Sequence, residues 1–415
     1  MISRSGTTAT LISMTGGGPC GGFFPQAVSA KAKAVNRRRG LGMRIGEDPR
    51  DKAADRLASA LPPQETLVGK WNLAALRAAC QGSIGRRVLR FKRQRARQPV
   101  ARLRVMRILV LGAGGTGGYF GGRLLQAGGD VTFLVRPARA ARLRAEGLVI
   151  RSPLGDAHLA APVVELSSLA PDYDIILLSC KAYDLEDAIR TIAPAMQSPG
   201  VTLLPLLNGL RHFDTLDAAF GARQVLGGLC HISVTLNAAG EIEHHNQLQS
   251  LTYGERDAAA SAQRCERIAA AFAAASFDAR PSANVLADLW QKFAFMSAGA
   301  ALTTLMRASI GDIVATPEGE RIARQTVADC AAVARAAGFP VSEKGAAFAE
   351  RMLLSPGSAF KASMLRDIEA GRRVEADHLV GDMIRRGRAL GQGVQWLEAA
   401  LAHLKAYERA SGFTT

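Results

Sequence analysis

Short apolar runs alternate with a helical pattern just after the first quarter of the chain. Arg107–Leu111 has the length of a buried strand, a helical stretch extends from Thr116 to about Gln126, and Val131–Val135 is a second apolar run. Strands that alternate with helices at this spacing are typical of β–α–β units and of a parallel sheet.

The turn between the first strand and the helix is rich in glycine and reads GAGGTG from Gly112 to Gly117. Gly112 allows a tight turn, Gly114 lets backbone approach a pyrophosphate, and Gly117 lets the helix pack closely on the strand. The helix N-terminus, at Gly115 and Thr116, offers N–H donors and the positive end of a dipole to phosphates. The pattern therefore predicts a dinucleotide site, and a Gly-rich turn without a ligand is the alternative.

The end of the second strand indicates which dinucleotide binds. NAD enzymes usually carry an acidic residue there, which binds the ribose hydroxyls. This chain has Arg136, and no carboxylate follows until Glu146. Because a guanidinium suits a 2′-phosphate, we expect NADP(H). A solvated surface arginine is the alternative.

Two further apolar runs each end in polar residues. Tyr173–Cys180 is followed by Lys181, and Val201–Leu207 is followed by Asn208 and Gly209. Alone, Lys181 is an ordinary loop residue and Asn208 with Gly209 an ordinary turn. Together they lie at the carboxyl edge of the predicted sheet, where α/β proteins bind ligands, so both are candidates for cofactor and substrate binding.

Residues 231–255 alternate between apolar and polar positions and predict one or two hairpins that complete the sheet. His244 and His245 stand there side by side, but adjacent residues of a strand face opposite sides. We therefore expect no metal site.

The chain becomes helical and rich in alanine from about Pro281. Ser282 or Asn284 could cap the first helix, others follow Pro317 and Ser342, and one more contains Ser363. The predicted fold class is α/β: a Rossmann-type dinucleotide-binding domain over residues 106–280, followed by an all-α substrate and catalytic domain over residues 281–415.

Lys292 lies among apolar residues of the first of these helices, next to Trp290 and Phe293. Burial lowers the pKa of a lysine, which suits a proton donor near neutral pH. The alternative is a lysine that extends from a half-buried helix to solvent.

Charge sets the first 105 residues apart. They contain 21 of the 52 basic residues and 5 of the 36 acidic ones, so the remainder is formally neutral. We interpret residues 1–105 as a disordered basic N-terminal extension or an over-called start. A targeting segment and a nucleic-acid-binding arm are the alternatives.

Two classes of protein are excluded by the sequence. No uninterrupted apolar run is long enough for a transmembrane helix, so we expect no membrane partner. The six cysteines form no CxxC pair, which argues against a zinc site and a disulfide scaffold and favours a cytoplasmic location.

Several motifs together carry a family resemblance. They are MRILVLGAGGTGGYFGGRL from Met106, SCKAYD with Lys181, LLNGL with Asn208, LADLWQKF with Lys292, and ASMLRDIEAGRRVEAD with Ser363 and Glu375. Over residues 106–415 the chain resembles the ketopantoate reductases, also called 2-dehydropantoate 2-reductases.

The resemblance implies NADPH-dependent reduction of 2-dehydropantoate to pantoate in pantothenate and coenzyme A biosynthesis. It makes Lys292 the general acid and Glu375 the catalytic partner that binds the substrate hydroxyl. It also makes Ser363 a substrate-binding residue, and it places Lys181 and Asn208 near the nicotinamide and the carbonyl.

The chain departs from the family at three positions of the substrate site. Family members carry asparagines where this chain has Met296, Ala300 and Ile310. Apolar side chains there discriminate poorly between polar substrates.

Four functions stay open on this basis. Two are enzymatic: ketopantoate reduction, and reduction of a different and less polar 2-oxo acid or ketone by a paralogous enzyme. The others are NADP(H) binding by a regulatory protein without turnover, and a nucleic-acid-associated function that uses the basic N-terminus. The expected partner is a small 2-oxo acid, with no nucleic acid, and the chain is expected to be a monomer or homodimer.

Overall fold

The computed structural model describes residues 105–198 and 200–413. The extension predicted for residues 1–105 lies, apart from Val105, outside the described residues.

Five strands form a parallel sheet: β1 (Arg107–Leu111), β2 (Asp130–Leu134), β5 (Val163–Val164), β6 (Ile175–Leu178) and β7 (Thr202–Pro205). Their order across the sheet is β5-β2-β1-β6-β7. The apolar runs thus form strands as predicted, although β6 and β7 are shorter than the runs that contain them.

A second sheet contains the other described strands: β3 (Leu148–Arg151), β4 (Ala157–Leu159), β8 (Gly227–Leu236), β9 (Ile242–Gly254) and β10 (Asp278–Pro281). The alternating segment forms a single antiparallel hairpin of β8 and β9, with a bulge between Ile232 and Val234. It begins at Gly227, before the predicted segment.

Five helices accompany these sheets: α1 (Gly115–Gln126), α2 (Pro137–Glu146), α3 (Leu185–Ile192), α4 (Arg211–Phe220) and α5 (Gln263–Phe272). A wholly buried group of side chains from β1, α1 and both sheets packs between them, including Val110, Phe120 and Tyr253.

The remaining chain is helical: α6 (Val285–Met306), α7 (Ile310–Val314), α8 (Pro317–Ala336), α9 (Glu343–Leu353), α10 (Ser363–Glu369), α11 (Asp382–Ala389) and α12 (Gln395–Ala410). Asn284 caps α6, since its side chain accepts a hydrogen bond from the Ala287 N–H at 3.2 Å. A π-helical turn, Asp377–Gly381, leads into α11 directly after Glu375 and Ala376.

One core joins the parallel sheet to these helices. It contains Leu109 and Ile176 from the sheet together with Leu289 and Phe293 from α6. The α/β domain followed by an all-α domain is therefore confirmed, while the domain limits at residues 106, 280 and 281 stay predictions.

Candidate active site

The glycine turn between β1 and α1 is shaped to hold a pyrophosphate. Gly112 has a φ of +84°, and a Cβ added at Gly114 would meet nothing within 4 Å. No side chain caps α1, and its first turn contains no acidic residue. The N–H groups of this helix end, which no side chain caps, therefore fit a dinucleotide phosphate.

Gly117 has a different role in the same turn. A Cβ there would lie 2.3 Å from Ser179 Oγ and 2.9 Å from the Gly112 carbonyl oxygen. The helix can approach β6 this closely only with glycine at position 117.

The two arginines after β2 have different environments. Arg136 is 82% exposed, with a distant ion pair of 3.5 Å to Asp187. Arg139 donates hydrogen bonds of 3.1 Å to the carbonyls of Ala113 and Gly240, and burial lowers its pKa. Arg139 thus ties the glycine turn to the β8–β9 hairpin, and Arg136 remains available to a ligand.

Lys181 connects the sheet edge to the helical domain. Its Nζ lies 3.1 Å from an Asp367 oxygen and 3.2 Å from a Glu375 oxygen. The other Glu375 oxygen accepts a hydrogen bond of 2.8 Å from the Ala182 N–H. Burial lowers the pKa of Lys181, but the two carboxylates outweigh it and raise the pKa overall, so Lys181 stays charged.

Asn208, Ser363 and Glu375 line one small cavity, which His378 also borders. Its volume is about 10 Å³, close to the minimum for one water molecule. The structure thus brings together four of the predicted site residues, Lys181 included, from distant parts of the sequence. A substrate can enter only if these side chains move apart.

Lys292 is placed differently. Its Nζ donates a hydrogen bond of 2.6 Å to the Cys230 carbonyl on β8, and burial lowers its pKa. It lines a larger cavity of about 1,220 Å³ between β8–β10 and the helices α6, α8 and α9. Among the described residues, Lys292 is not part of the small cavity's lining.

The three positions that depart from the family are apolar and packed. Ala300 and Ile310 are buried, and Met296 packs against the same core. The α6 positions 296 and 300 therefore offer no hydrogen-bonding side chain to a substrate.

Sequence reasoning missed three residues near this site. Asp367 pairs with Lys181, and His212 stacks on His378 at a ring distance of 5.6 Å. Of the three, only His378 could have been found from the sequence, because it follows Glu375 by three residues at the start of a predicted helix. Asp367 and Lys181 are 186 residues apart, so no local pattern relates them.

The adjacent histidines of β9 have structural roles. His244 is buried and contacts Ser152 Oγ at 2.9 Å, whereas His245 contacts Thr235 Oγ1 at 2.8 Å. Within residues 105–198 and 200–413, no cluster of three or more His, Cys, Asp or Glu side chains is arranged to hold a metal.

No helix within residues 105–198 and 200–413 combines the length and apolarity that crossing a bilayer requires.

Comparison with known proteins places the chain in a family. The family model described as Ketopantoate reductase PanE/ApbA matches residues 108–258, and its C-terminal counterpart matches residues 284–408. A Bacillus subtilis protein, the uncharacterized oxidoreductase YkpB, is 37% identical over 306 residues, which are 73% of this chain and 99% of that protein. This chain belongs to the ketopantoate reductase family.

Solved structures agree with this assignment. A PanE/ApbA family ketopantoate reductase from Ralstonia eutropha is 27% identical with a TM-score of 0.65, over 74% of this chain and all of that one. D-mandelate dehydrogenase, in a ternary structure with NADH and anilino(oxo)acetate, is 20% identical with a TM-score of 0.67, over 74% of this chain and 100% of that one. The second likeness shows the fold alone.

Membership of the ketopantoate reductase family confirms the resemblance drawn from the motifs. The protein is an NAD(P)-dependent oxidoreductase of this family. The roles of individual residues, the substrate and the preferred cofactor of this protein are proposals.

Proposed function

We propose that this protein reduces 2-dehydropantoate to pantoate with NADPH, in pantothenate and coenzyme A biosynthesis. The observation that carries the proposal is the convergence of Asn208, Ser363 and Glu375 around one cavity at the carboxyl edge of the parallel sheet, with Lys181 paired to Glu375. In an α/β sheet this edge is where a dinucleotide and its substrate meet.

The cofactor is held at two places in this proposal. Gly112, Gly114, Gly115, Thr116 and Gly117 form the turn that receives the pyrophosphate, and Arg136 pairs with the 2′-phosphate. The exposure of Arg136, and the absence of a carboxylate after β2 until Glu146, support NADPH over NADH. When bound, NADPH supplies the hydride that reduces the substrate carbonyl.

Lys292 supplies the proton in this proposal. Its lowered pKa makes the ammonium a better acid than an exposed lysine. One of its three N–H groups is used by the Cys230 carbonyl, which leaves two for the substrate oxygen. Lys292 does not line the small cavity in this structure, so the proposal requires its amine to move toward the substrate carbonyl.

Glu375, Ser363, Lys181 and Asn208 hold the substrate. Lys181 and Arg372 together balance the charges of Glu375 and Asp367, which lets a carboxylate substrate approach two acidic groups. Glu375 accepts from the substrate hydroxyl, and Ser363 and Asn208 bind its oxygens.

A second candidate substrate is a less polar 2-oxo acid or a ketone. The apolar side chains of Met296, Ala300 and Ile310 favour it, because they replace groups that would bind polar atoms. In both candidates Lys292 and the glycine turn keep their roles. The predictions of a monomer or homodimer and of a cytoplasmic location stay open.

Identification of the product tests the proposal. The full chain is incubated with NADPH and 2-dehydropantoate, and pantoate is measured by mass spectrometry beside NADPH consumption. We expect one pantoate per NADPH oxidised. NADPH consumption with a less polar 2-oxo acid or ketone but without pantoate formation would favour the second candidate, and no consumption with any 2-oxo acid or ketone would refute both.

A further inference from the structure

Unpartnered imidazole nitrogens belong to His378, which lines the small cavity, and to His212, which stacks on it. His378 Nε2 and both ring nitrogens of His212 are buried and have no hydrogen-bond partner within the described part of the chain. Buried polar atoms are nearly always paired, so an orphan beside a cavity indicates a missing water or ligand.

His378 lies at the boundary of the candidate site. It belongs to the π-helical turn Asp377–Gly381, whose Leu379 N–H donates to the Glu375 carbonyl at 3.2 Å. It lines the cavity together with Asn208, Ser363 and Glu375, and its residue is 9% exposed. Single π turns within helices occur frequently at functional sites.

The ring of His378 is held from two sides. The turn at Gly209, with a φ of +83°, packs on it so closely that a Cβ there would lie 3.5 Å from His378 Cδ2. The ring of His212 stacks on it with an interplanar angle of 27°. These contacts restrict the ring of His378, a residue that lines the cavity.

Burial lowers the pKa of His378, although the charge of Glu375 and a hydrogen bond with the backbone of Asn208 oppose the shift. The ring is therefore neutral at neutral pH, and a neutral imidazole offers one donor and one acceptor nitrogen. It can bind a substrate oxygen without adding charge to the cavity.

The rest of the cavity has few free polar groups. Asp367 and Glu375 are engaged by Lys181, and the other two lining residues, Met364 and Leu379, are apolar. Asn208, Ser363 and His378 remain as the neutral polar side chains that line it.

We propose that His378 is a substrate-binding residue of this protein, whose Nε2 forms a hydrogen bond with an oxygen of the 2-oxo acid head group. This inference rests on the proposed function, because it assigns a further contact within the same site. His212 is a positioning residue that supports the ring from behind.

The head group is the part of the substrate that His378 reaches. Asn208 follows β7 at the sheet edge where the reacting carbon must lie, and His378 packs against the Asn208–Gly209 turn. The 2-oxo and carboxylate oxygens adjoin that carbon in every 2-oxo acid. His378 therefore contributes to binding whether or not the substrate carries a hydroxyl.

The test compares variants of the full chain in steady-state reduction with NADPH. His378→Phe keeps a ring and removes the nitrogens, while His378→Gln keeps a polar group. His403→Phe is the matched control, because His403 Nε2 is also buried without a partner but lies on α12 outside the cavity lining.

We expect His378→Phe to raise KM for a 2-oxo acid roughly tenfold to a hundredfold, the usual cost of an unpaired polar partner. kcat should change by less than about threefold, since the lost bond serves binding in ground and transition state alike. KM for NADPH should not change. His378→Gln should recover part of the loss, and His403→Phe should behave as wild type.

A second measurement needs no ring-removing variant. With 15N-labelled histidine, oxamate added to the NADP⁺ complex should shift the Nε2 resonance of His378, assigned by its loss in His378→Gln, and leave that of His403 in place. An unmoved His378 resonance would overturn the inference, even if His378→Phe fails to fold.

Failure of this inference can be distinguished from failure of the proposed function. If wild type reduces 2-oxo acids and His378→Phe has an unchanged KM, the inference alone is wrong. A KM effect confined to hydroxylated substrates also contradicts it, because His378 would then bind the substrate side chain. If wild type reduces no 2-oxo acid, the proposed function fails and the inference fails with it.

Discussion

The side chains of this site differ in whether the sequence could predict their roles. Lys181, Asn208 and Glu375 could be proposed from their motifs, and the structure brings them to one place. Asp367 could not, because its contact with Lys181 depends on how two distant parts of the chain pack. A charge partner that arises from tertiary packing leaves no periodic signal in the sequence.

The residue that we propose as the proton donor is the first testable case. Lys292→Met keeps the length and apolar stem of the side chain but removes the acid. We expect kcat for reduction to fall roughly 10²- to 10⁴-fold, the usual contribution of a general acid, while NADPH affinity stays unchanged. Stopped-flow measurement of NADPH oxidation checks this.

Lys344→Met serves as the control for Lys292→Met, because Lys344 lines the same larger cavity at its α9 wall. It should retain wild-type kcat. An equal loss in both variants would mean that charge in the cavity, rather than a proton donor, is what Lys292 provides.

Arg136 is the second case at this scale. Arg136→Ser removes the guanidinium that we assign to the 2′-phosphate. The dissociation constant for NADPH should rise at least about tenfold, because charge-assisted hydrogen bonds are lost, while that for NADH stays within about threefold. Fluorescence titration of both cofactors measures the two constants.

Arg324→Ser is the control for Arg136→Ser. Arg324, on α8, is likewise exposed and paired with an acidic residue, Glu320. Arg324→Ser should leave both constants as in wild type. If Arg136→Ser weakens NADH and NADPH equally, the assignment of the 2′-phosphate to Arg136 is wrong.

At the scale of elements, the β1–α1–β2 unit was the best predicted part. Its strands and helix lie within one residue of the predicted limits, because apolar runs and glycines mark each boundary. The short strands β3, β4 and β10 were not predicted, since three or four residues are too few to show a period. The π-helical turn beside Glu375 likewise has no sequence signature.

A single substitution in the glycine turn, Gly114→Ala, should weaken cofactor binding without affecting folding. Gly114→Ala adds a Cβ that meets no atom of the protein, and its backbone is compatible with alanine at a φ of −84°. We expect the free energy of unfolding to change by no more than about 0.5 kcal/mol, as for an uncrowded surface site. NADPH affinity should fall at least about tenfold, because the pyrophosphate needs that space.

Gly200→Ala provides the control for the glycine turn, since a Cβ there also meets nothing within 4 Å. It should change neither stability nor NADPH affinity. Chemical denaturation and cofactor titration of both variants give the comparison, and unchanged NADPH binding in Gly114→Ala would contradict the assignment of the phosphate site.

At the scale of the whole molecule, the two-part architecture followed from the change of hydrophobic period near residue 281. The packing of the two parts against each other could not be predicted. The core that joins the parallel sheet to α6 combines residues such as Leu109 from a strand and Phe293 from a helix, and no single hydrophobic period connects them. The same packing decides that Lys292 adjoins β8 rather than Glu375, which the motifs alone did not indicate.

Buried histidines should make the molecule sensitive to acid. Burial, together with Lys292 and Arg280, lowers the pKa of His231 to about 4, and burial also lowers the pKa of His212. The unfolded chain binds protons near pH 6.5 and the folded one does not, so stability is full above pH 6.5 and falls as the pH drops toward 4. For His231 alone the loss is about 3 kcal/mol.

Urea denaturation at pH 7, 5.5 and 4 measures this loss. His231→Leu should lose less stability over the range than wild type by about that amount, whereas His245→Leu, at an exposed position of the same hairpin, should lose as much as wild type. Identical pH dependence in wild type and His231→Leu would show that other groups cause the acid sensitivity.

The central claim is that this chain is an NADPH-dependent reductase of 2-dehydropantoate. The most direct test is kcat/KM of the full chain, from NADPH oxidation at 340 nm, for 2-dehydropantoate and for the same 2-oxo acid without its hydroxyl group. The account predicts about 10⁴ M⁻¹s⁻¹ or more for 2-dehydropantoate, within the usual range of enzymes, and a lower value without the hydroxyl. An equal or higher value for the less polar compound would contradict it.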